Sequence, residues 1–252
     1  MEIDRNAKGI RLNRVSFSYQ KGVKVLTDIS LEITPGNFVA ITGSNGSGKS
    51  TLCYLLNGII PNFIPGHLKG EVFFNGKNTA DLNPGDLVSK IGFVFQNPDF
   101  SLFNLTVEDE IKFGLNNLKI NNSQDRIKSA LDLVRMSGFE KRDPHTLSFG
   151  EKQKINLACA LALGVDYLIL DEPTAVLDYK SSLQVYNILD KLNRQGKTII
   201  AVEHDTSLIW QFAKQVIILD NGRLLRSGKT KEILSDFNLL NKLGLKKPEK
   251  IK

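Results

Sequence analysis

Gly43-Ser44-Asn45-Gly46-Ser47-Gly48-Lys49-Ser50-Thr51 fits the pattern G-x-x-x-x-G-K-[ST] without a gap. Its surroundings fit as well. Phe38–Thr42 reads as a short buried strand running into the loop, and a helix is expected from Lys49 to about Asn57. Glycines let the backbone curl so that several N–H groups converge on phosphate oxygens, and the helix N-terminus adds the positive end of its dipole. Lys49 supplies a point charge for β- and γ-phosphates, and the Ser50 hydroxyl is a hard oxygen suited to Mg²⁺. Residues Gly43 through Thr51 are thus the expected cradle of a nucleoside triphosphate.

A second element narrows the chemistry. Tyr167–Leu170 reads as a buried strand ending in Asp171 and Glu172. An acid at the strand tip can hold Mg²⁺ through water, as expected of Asp171. An acid immediately after it can polarise an attacking water, as expected of Glu172.

Outward from these two sites, strands and helices alternate. Arg11–Tyr19 and Thr27–Ile33 read as antiparallel strands joined around Lys21-Gly22. Glu71–Phe74 precedes an Asn75-Gly76 turn, and Ile91–Phe95 is another buried strand. Thr198–Val202 and Val216–Leu219 follow the acidic strand, the last turned back by Asp220-Asn221-Gly222. From Thr106 to about Leu163 the periodicity is mostly helical, as in Ser123–Met136 and Gly150–Leu163. The expected fold is α/β: a mainly parallel core sheet, an antiparallel β subdomain and an inserted helical subdomain. One domain spans 1–252, with a nucleotide-binding core over about 1–97 and 164–230. The helical subdomain is expected over about 98–163, and a basic C-terminal tail over 231–252.

Lys+Arg minus Asp+Glu is 33 − 27 = +6. Residues 242–252 hold five lysines and one glutamate, so +4 of that charge is expected on a solvated end. No basic stripe crosses the body, which argues against nucleic acid as a partner. Two cysteines, Cys53 and Cys159, exclude a disulfide scaffold and read as reduced, buried thiols. The longest apolar run, Leu157 to Val165, is far short of the roughly 18 residues that cross a bilayer. The opening MEIDRNAKGI lacks the apolar core of a secretory signal. A cytoplasmic place is therefore expected, with any membrane reached through a partner.

Leu147-Ser148-Phe149-Gly150-Glu151-Lys152-Gln153 resembles the LSGGQ signature of ABC-type ATPases, and other family motifs then fall in order. Tyr19 is similar to the aromatic residue that stacks on adenine. Gln96 is similar to the glutamine joining the Mg²⁺ site to the transmembrane interface. Ala175-Val176-Leu177-Asp178 resembles the loop that communicates across the dimer, and His204 the switch histidine. The resemblance covers about residues 10–230 and implies a P-loop NTPase fold. It implies Mg²⁺-dependent ATP hydrolysis coupled to transport, with Glu172, His204, Gln96 and Lys49 catalytic. Mg²⁺ would be held by Ser50, Gln96 and Asp171, while Ser148 and Gly150 would touch ATP held by a second subunit, identical or related.

Gln96-Asn97-Pro98-Asp99, Leu102-Phe103 and Thr106-Val107-Glu108-Asp109-Glu110 are similar to the ATPase subunits of energy-coupling factor (ECF) importers of vitamins or metal ions. That resemblance implies an integral membrane coupling subunit, a separate substrate-binding membrane subunit, and a peripheral place on the cytoplasmic face of the cell membrane. Asp99, Glu108, Asp109 and Glu110 are open to two readings, a solvated face or a contact with basic coupling helices. Two residues depart from the family pattern: Phe149 stands in place of glycine and Glu151 in place of glutamine. The alternative is a soluble ABC-type ATPase acting on ribosomes or DNA. Such chains carry two ATPase halves or a long coiled coil before the signature, whereas Lys49 and Ser148 are 99 positions apart with no heptad array between them.

Overall fold

The computed structural model describes residues 8–249. Its strands are β1 (Ile10–Ser18), β2 (Leu26–Ile33), β3 (Phe38–Gly43), β4 (His67–Phe74), β5 (Lys77–Asn78), β6 (Ile91–Val94), β7 (Tyr167–Leu170), β8 (Thr198–Val202), β9 (Gln215–Asp220) and β10 (Arg223–Lys229). They form two sheets. A six-stranded sheet runs β10-β9-β3-β8-β7-β6, parallel except for the β9–β10 hairpin at Asn221-Gly222. A four-stranded antiparallel sheet runs β2-β1-β4-β5.

Strand β3 shows why the phosphate loop lies where it does. Every residue from Phe38 to Gly43 is buried. Phe38 and Ala40 face a core shared with the helical block, while Val39 and Ile41 face a second core shared with the antiparallel sheet. Side chains alternate across a strand, so both faces of β3 are covered and the strand reads as one apolar run. Burial of each Ile41-sized side chain contributes about 2 kcal/mol. The strand opens at its C-terminal edge, where the loop begins, between β8 and β9.

The helical block comprises Val107–Asn117, Ser123–Leu133 and Phe149–Ala162. The middle helix stops before the expected Met136. Arg135 takes φ 61°, and Met136 N–H donates to Leu131 O while Arg135 N–H donates to Asp132 O. This double closure normally uses glycine, so arginine hides the stop. Strand β4 starts at His67, four residues earlier than expected at Glu71, because Gly70 (φ 84°) lets it pass over a bulge in β1.

The described lysines of the basic tail, Lys242, Lys246 and Lys247, are exposed as expected, but the segment that carries them is docked on the domain. Thr230–Ile233 and Phe237–Lys242 are short helices, and Leu234 and Leu240 are fully buried. The Thr206 hydroxyl donates to Lys246 O, and Glu249 N–H donates to the Ser207 hydroxyl, both at 2.9 Å. Apolar spacing among Leu234, Leu240, Leu243 and Leu245 outweighs the lysines, whose charged ends remain in water. Lys250 and Lys252 lie outside the described residues. Among the described residues no helix is long and apolar enough to cross a membrane.

Candidate functional site

The loop after β3 leaves no room for side chains at two positions. Gly43 has φ 141°, and a Cβ there would sit 1.9 Å from Leu219 O. Gly48 has φ 96°, and a Cβ would meet Leu26 Cδ2 at 2.7 Å. The helix Lys49–Leu56 then starts with no side-chain cap and no acid in its first turn. Its leading N–H groups therefore stay open to an anion. Lys49 is buried across the loop, and its Nζ donates to Gly43 O at 3.2 Å and Ser44 O at 2.9 Å. Burial pulls its pKa down, opposed by the negative charges of Glu172 and Asp171. Ser44 is tied by its hydroxyl to Asp220, and the Ser47 hydroxyl is buried without a partner. Tyr19 is 41% exposed, and its hydroxyl shares a 2.9 Å hydrogen bond with Thr51.

At the end of β7, Asp171 is 4% exposed and its Oδ1 has no hydrogen-bond partner. Burial lifts its pKa, while a hydrogen bond with Ser50 and the charge of Lys49 hold it down. That orphaned oxygen beside a hydroxyl is a donor set a divalent cation would fill. Among the described residues no group of three or more His, Cys, Asp or Glu is arranged to hold a metal ion by itself, so such an ion would need water and phosphate oxygens as well. Mg²⁺ binds in that way. Ser50 and Asp171 thus offer oxygens suited to the expected ion, and Gln96 lines the same cleft as Ser50.

Glu172 takes φ 48°, a left-handed conformation costly for a side chain with Cβ. It is held from both sides. Gln96 Nε2 donates to its Oε2 at 2.7 Å, and His204 Nε2 lies 3.0 Å from its Oε1. The structure thus brings together Lys49, Ser50, Gln96, Asp171, Glu172 and His204. The cleft above the loop is about 460 Å³ and is lined by Val25, Asn45, Gly46, Gly48, Lys49, Ser50, Thr51, Gln96 and Glu172. Val25 has no mark in the sequence, as nothing distinguishes an apolar residue just before a strand as ligand-facing.

Ser148 and Gly150 do not line this cleft. They begin the helix Phe149–Ala162, where Ser148 and Glu151 form a capping box. Glu151 Oε2 accepts from both the N–H and the hydroxyl of Ser148 at 2.8 Å. Those hydrogen bonds hold the Glu151 acid below the usual carboxylate range. Gly150 packs on Leu177, which a Cβ would meet at 3.2 Å.

A family model described as ABC transporter matches residues 26–175. The chain belongs to the ABC transporter family. The energy-coupling factor transporter ATP-binding protein EcfA of Methanothermobacter thermautotrophicus is 38% identical over 95% of this chain and 76% of its own length. Two solved ABC structures are each 30% identical. cbiO1 of Clostridium perfringens, part of the transporter complex cbiONQ, superimposes with TM-score 0.82 over 94% of this chain and 95% of its own. The cassette MJ0796, a dimer in a post-hydrolysis state with ADP and Pi, gives 0.76 over 88% and 98%.

The ABC domain carries a second depression of about 380 Å³ beside Gln96, rich in phenylalanines that include Phe63, Phe93, Phe95, Phe103 and Phe113. Phe100 on its rim is 82% exposed and Phe103 60%. Of the four acids read beside it, three have local partners: Asp99 pairs with Lys152, Glu108 with Lys141, and Asp109 with Thr106. Glu110 is buried, which corrects the solvated reading for that residue; its Oε2 accepts the N–H groups of Phe103 and Asn104. His67 and His145 are exposed and take no part in either cleft.

Proposed function

We propose that this ABC ATPase powers a membrane importer of the energy-coupling factor type, for a vitamin or a metal ion. It works as a pair with a second ATPase, identical or related, on the cytoplasmic face of the cell membrane. Its other partners are an integral membrane coupling subunit and a separate substrate-binding membrane subunit. The observation that carries this reading is the exposed phenylalanine rim beside Gln96. An apolar patch of this kind marks a protein contact. Its nearness to Gln96 ties that contact to Glu172. The likeness to EcfA and cbiO1 supports the same class of partner.

In this scheme loop N–H groups and Lys49 hold the phosphates and stabilise charge on the transferring phosphoryl group. Ser50, Asp171 and Gln96 would hold Mg²⁺, which when bound would supply further neutralisation of that charge. Tyr19 flanks the adenine. Glu172 orients and polarises water, and His204 steadies the γ-phosphate end. Because Ser148 and Gly150 do not line their own cleft, they are assigned to the site of the partner ATPase. ATP contacts to both halves favour the closed pair, and loss of the γ-phosphate lets it open.

Purification of the tagged chain from detergent-solubilised membranes should recover both membrane subunits. Phe100→Asp with Phe103→Asp should reduce that recovery at least tenfold, from about 2 kcal/mol of apolar burial per ring, with ATP affinity unchanged. Recovery of ribosomes or nucleic acid in their place would sink the importer reading. A second result concerns the signature. Glu151 places a negative charge at a helix start that must meet a partner's anionic phosphate. Phe149→Gly with Glu151→Gln, which keeps the capping geometry, should raise turnover of the assembled complex by about three- to tenfold. An unchanged rate would show that these departures are neutral.

A further inference from the structure

Among the described residues, Glu203 is a buried carboxylate beside the site with no role assigned in ATP binding or hydrolysis. It directly follows β8 and is 6% exposed, one residue before His204. Its main-chain N–H donates to Ile41 O, extending the ladder with β3. Its side chain turns back on the chain. Oε1 accepts the N–H groups of His204 at 2.7 Å and Asp205 at 2.9 Å. Oε2 accepts the hydroxyl of Thr174 at 2.6 Å and that of Tyr186 at 2.9 Å. Four donors fill both oxygens, and no cation pairs with the group among the described residues. A buried carboxylate without a counter-ion is costly unless its hydrogen bonds are complete. These are complete, and bonds to a charged acceptor are about twice as strong as neutral ones.

The four partners come from two different loops and one helix. His204 and Asp205 follow β8, whereas Thr174 lies two residues beyond Glu172 in the turn that holds it at φ 48°. Tyr186, on the helix Tyr179–Arg194, is fixed between Phe38 and Phe212. Burial and the adjacent Glu203 push its phenol well above the ordinary range, so it stays a donor.

We propose that Glu203 is a positioning residue that locks the His204 loop to the Glu172 turn, so that the 3.0 Å His204–Glu172 contact keeps its geometry as nucleotide comes and goes. The inference rests on Glu172 and His204 acting as proposed above.

The test is a double-mutant cycle on ATP turnover of the full chain in its membrane complex, with ATP affinity measured alongside. Glu203→Met should lower kcat about tenfold and leave the KM for ATP within about twofold. Glu203→Gln, which keeps an acceptor for the two N–H groups, should restore most of the rate. In a His204→Ala background, Glu203→Met should cost less than a further twofold, because the contact it maintains is already gone. Tyr186→Phe removes one donor at constant ring volume and covers the case in which Glu203→Met does not fold. It should lower kcat a few-fold, again only when His204 is present. Equal losses in both backgrounds, or full kcat in Glu203→Met or Tyr186→Phe, would overturn the proposal. Full turnover of His204→Ala alone would overturn the function assigned to the site, and this inference with it.

Discussion

Replacement of Glu172 by glutamine should cut ATP turnover by about a hundred- to a thousandfold while leaving ATP affinity within about twofold. Glutamine keeps the length of the side chain and retains an oxygen for Gln96, whose amide now donates at 2.7 Å. It cannot take a proton from water, so the defect falls on the chemical step. Binding should survive because the phosphates rest on the loop from Gly43 to Thr51 and on Lys49, none of which depends on Glu172. ATP that is bound but not cleaved holds the two subunits together, so the variant should run as a dimer in size-exclusion chromatography with ATP and as a monomer without it. Turnover above about a tenth of the native rate would remove Glu172 from the role of water-orienting base.

Lys49→Met should weaken Mg²⁺-ATP binding by about a hundredfold or more, which is about 2.7 kcal/mol. Methionine fills much of the space of the lysine stem but brings no charge to the phosphates. The loss is compounded on the protein side. Lys49 is a cation that helps keep the buried Asp171 ionised, and burial already lifts that acid. Without the lysine the carboxyl rises further and becomes a poorer ligand for Mg²⁺. A fluorescence titration with and without Mg²⁺ measures this directly. Undiminished affinity in Lys49→Met would remove the basis for reading the loop as a triphosphate site.

The residues that carry chemistry were legible because their spacing encodes local geometry. The Gly43–Thr51 loop, the Asp171-Glu172 tip, the Asn75-Gly76 turn and the Asp220-Asn221-Gly222 hairpin each follow from short-range backbone preferences, and the fold places all four as expected. A mainly parallel sheet was legible too, from apolar strands separated by helices. The strand order β10-β9-β3-β8-β7-β6 was not, since it depends on pairings as distant as Ile41 with Val202 and with Ile217. Arg135 in a left-handed stop and the buried Glu110 escaped for another reason: tertiary contacts pay for conformations these residue types seldom adopt alone. Glu203 is not legible in the sequence because a lone acid after an apolar strand reads as surface, and only the fold sets Thr174 and Tyr186 against it.

The closing segment of the chain carries a practical lesson. Glu249 is fastened to Ser207, three positions after His204, and Lys246 to Thr206. An affinity handle inserted soon after Glu249 would load that fastening directly. Any pull it exerts would be felt at the start of the helix Thr206–Phe212, next to the histidine. A handle for purification therefore belongs away from this segment.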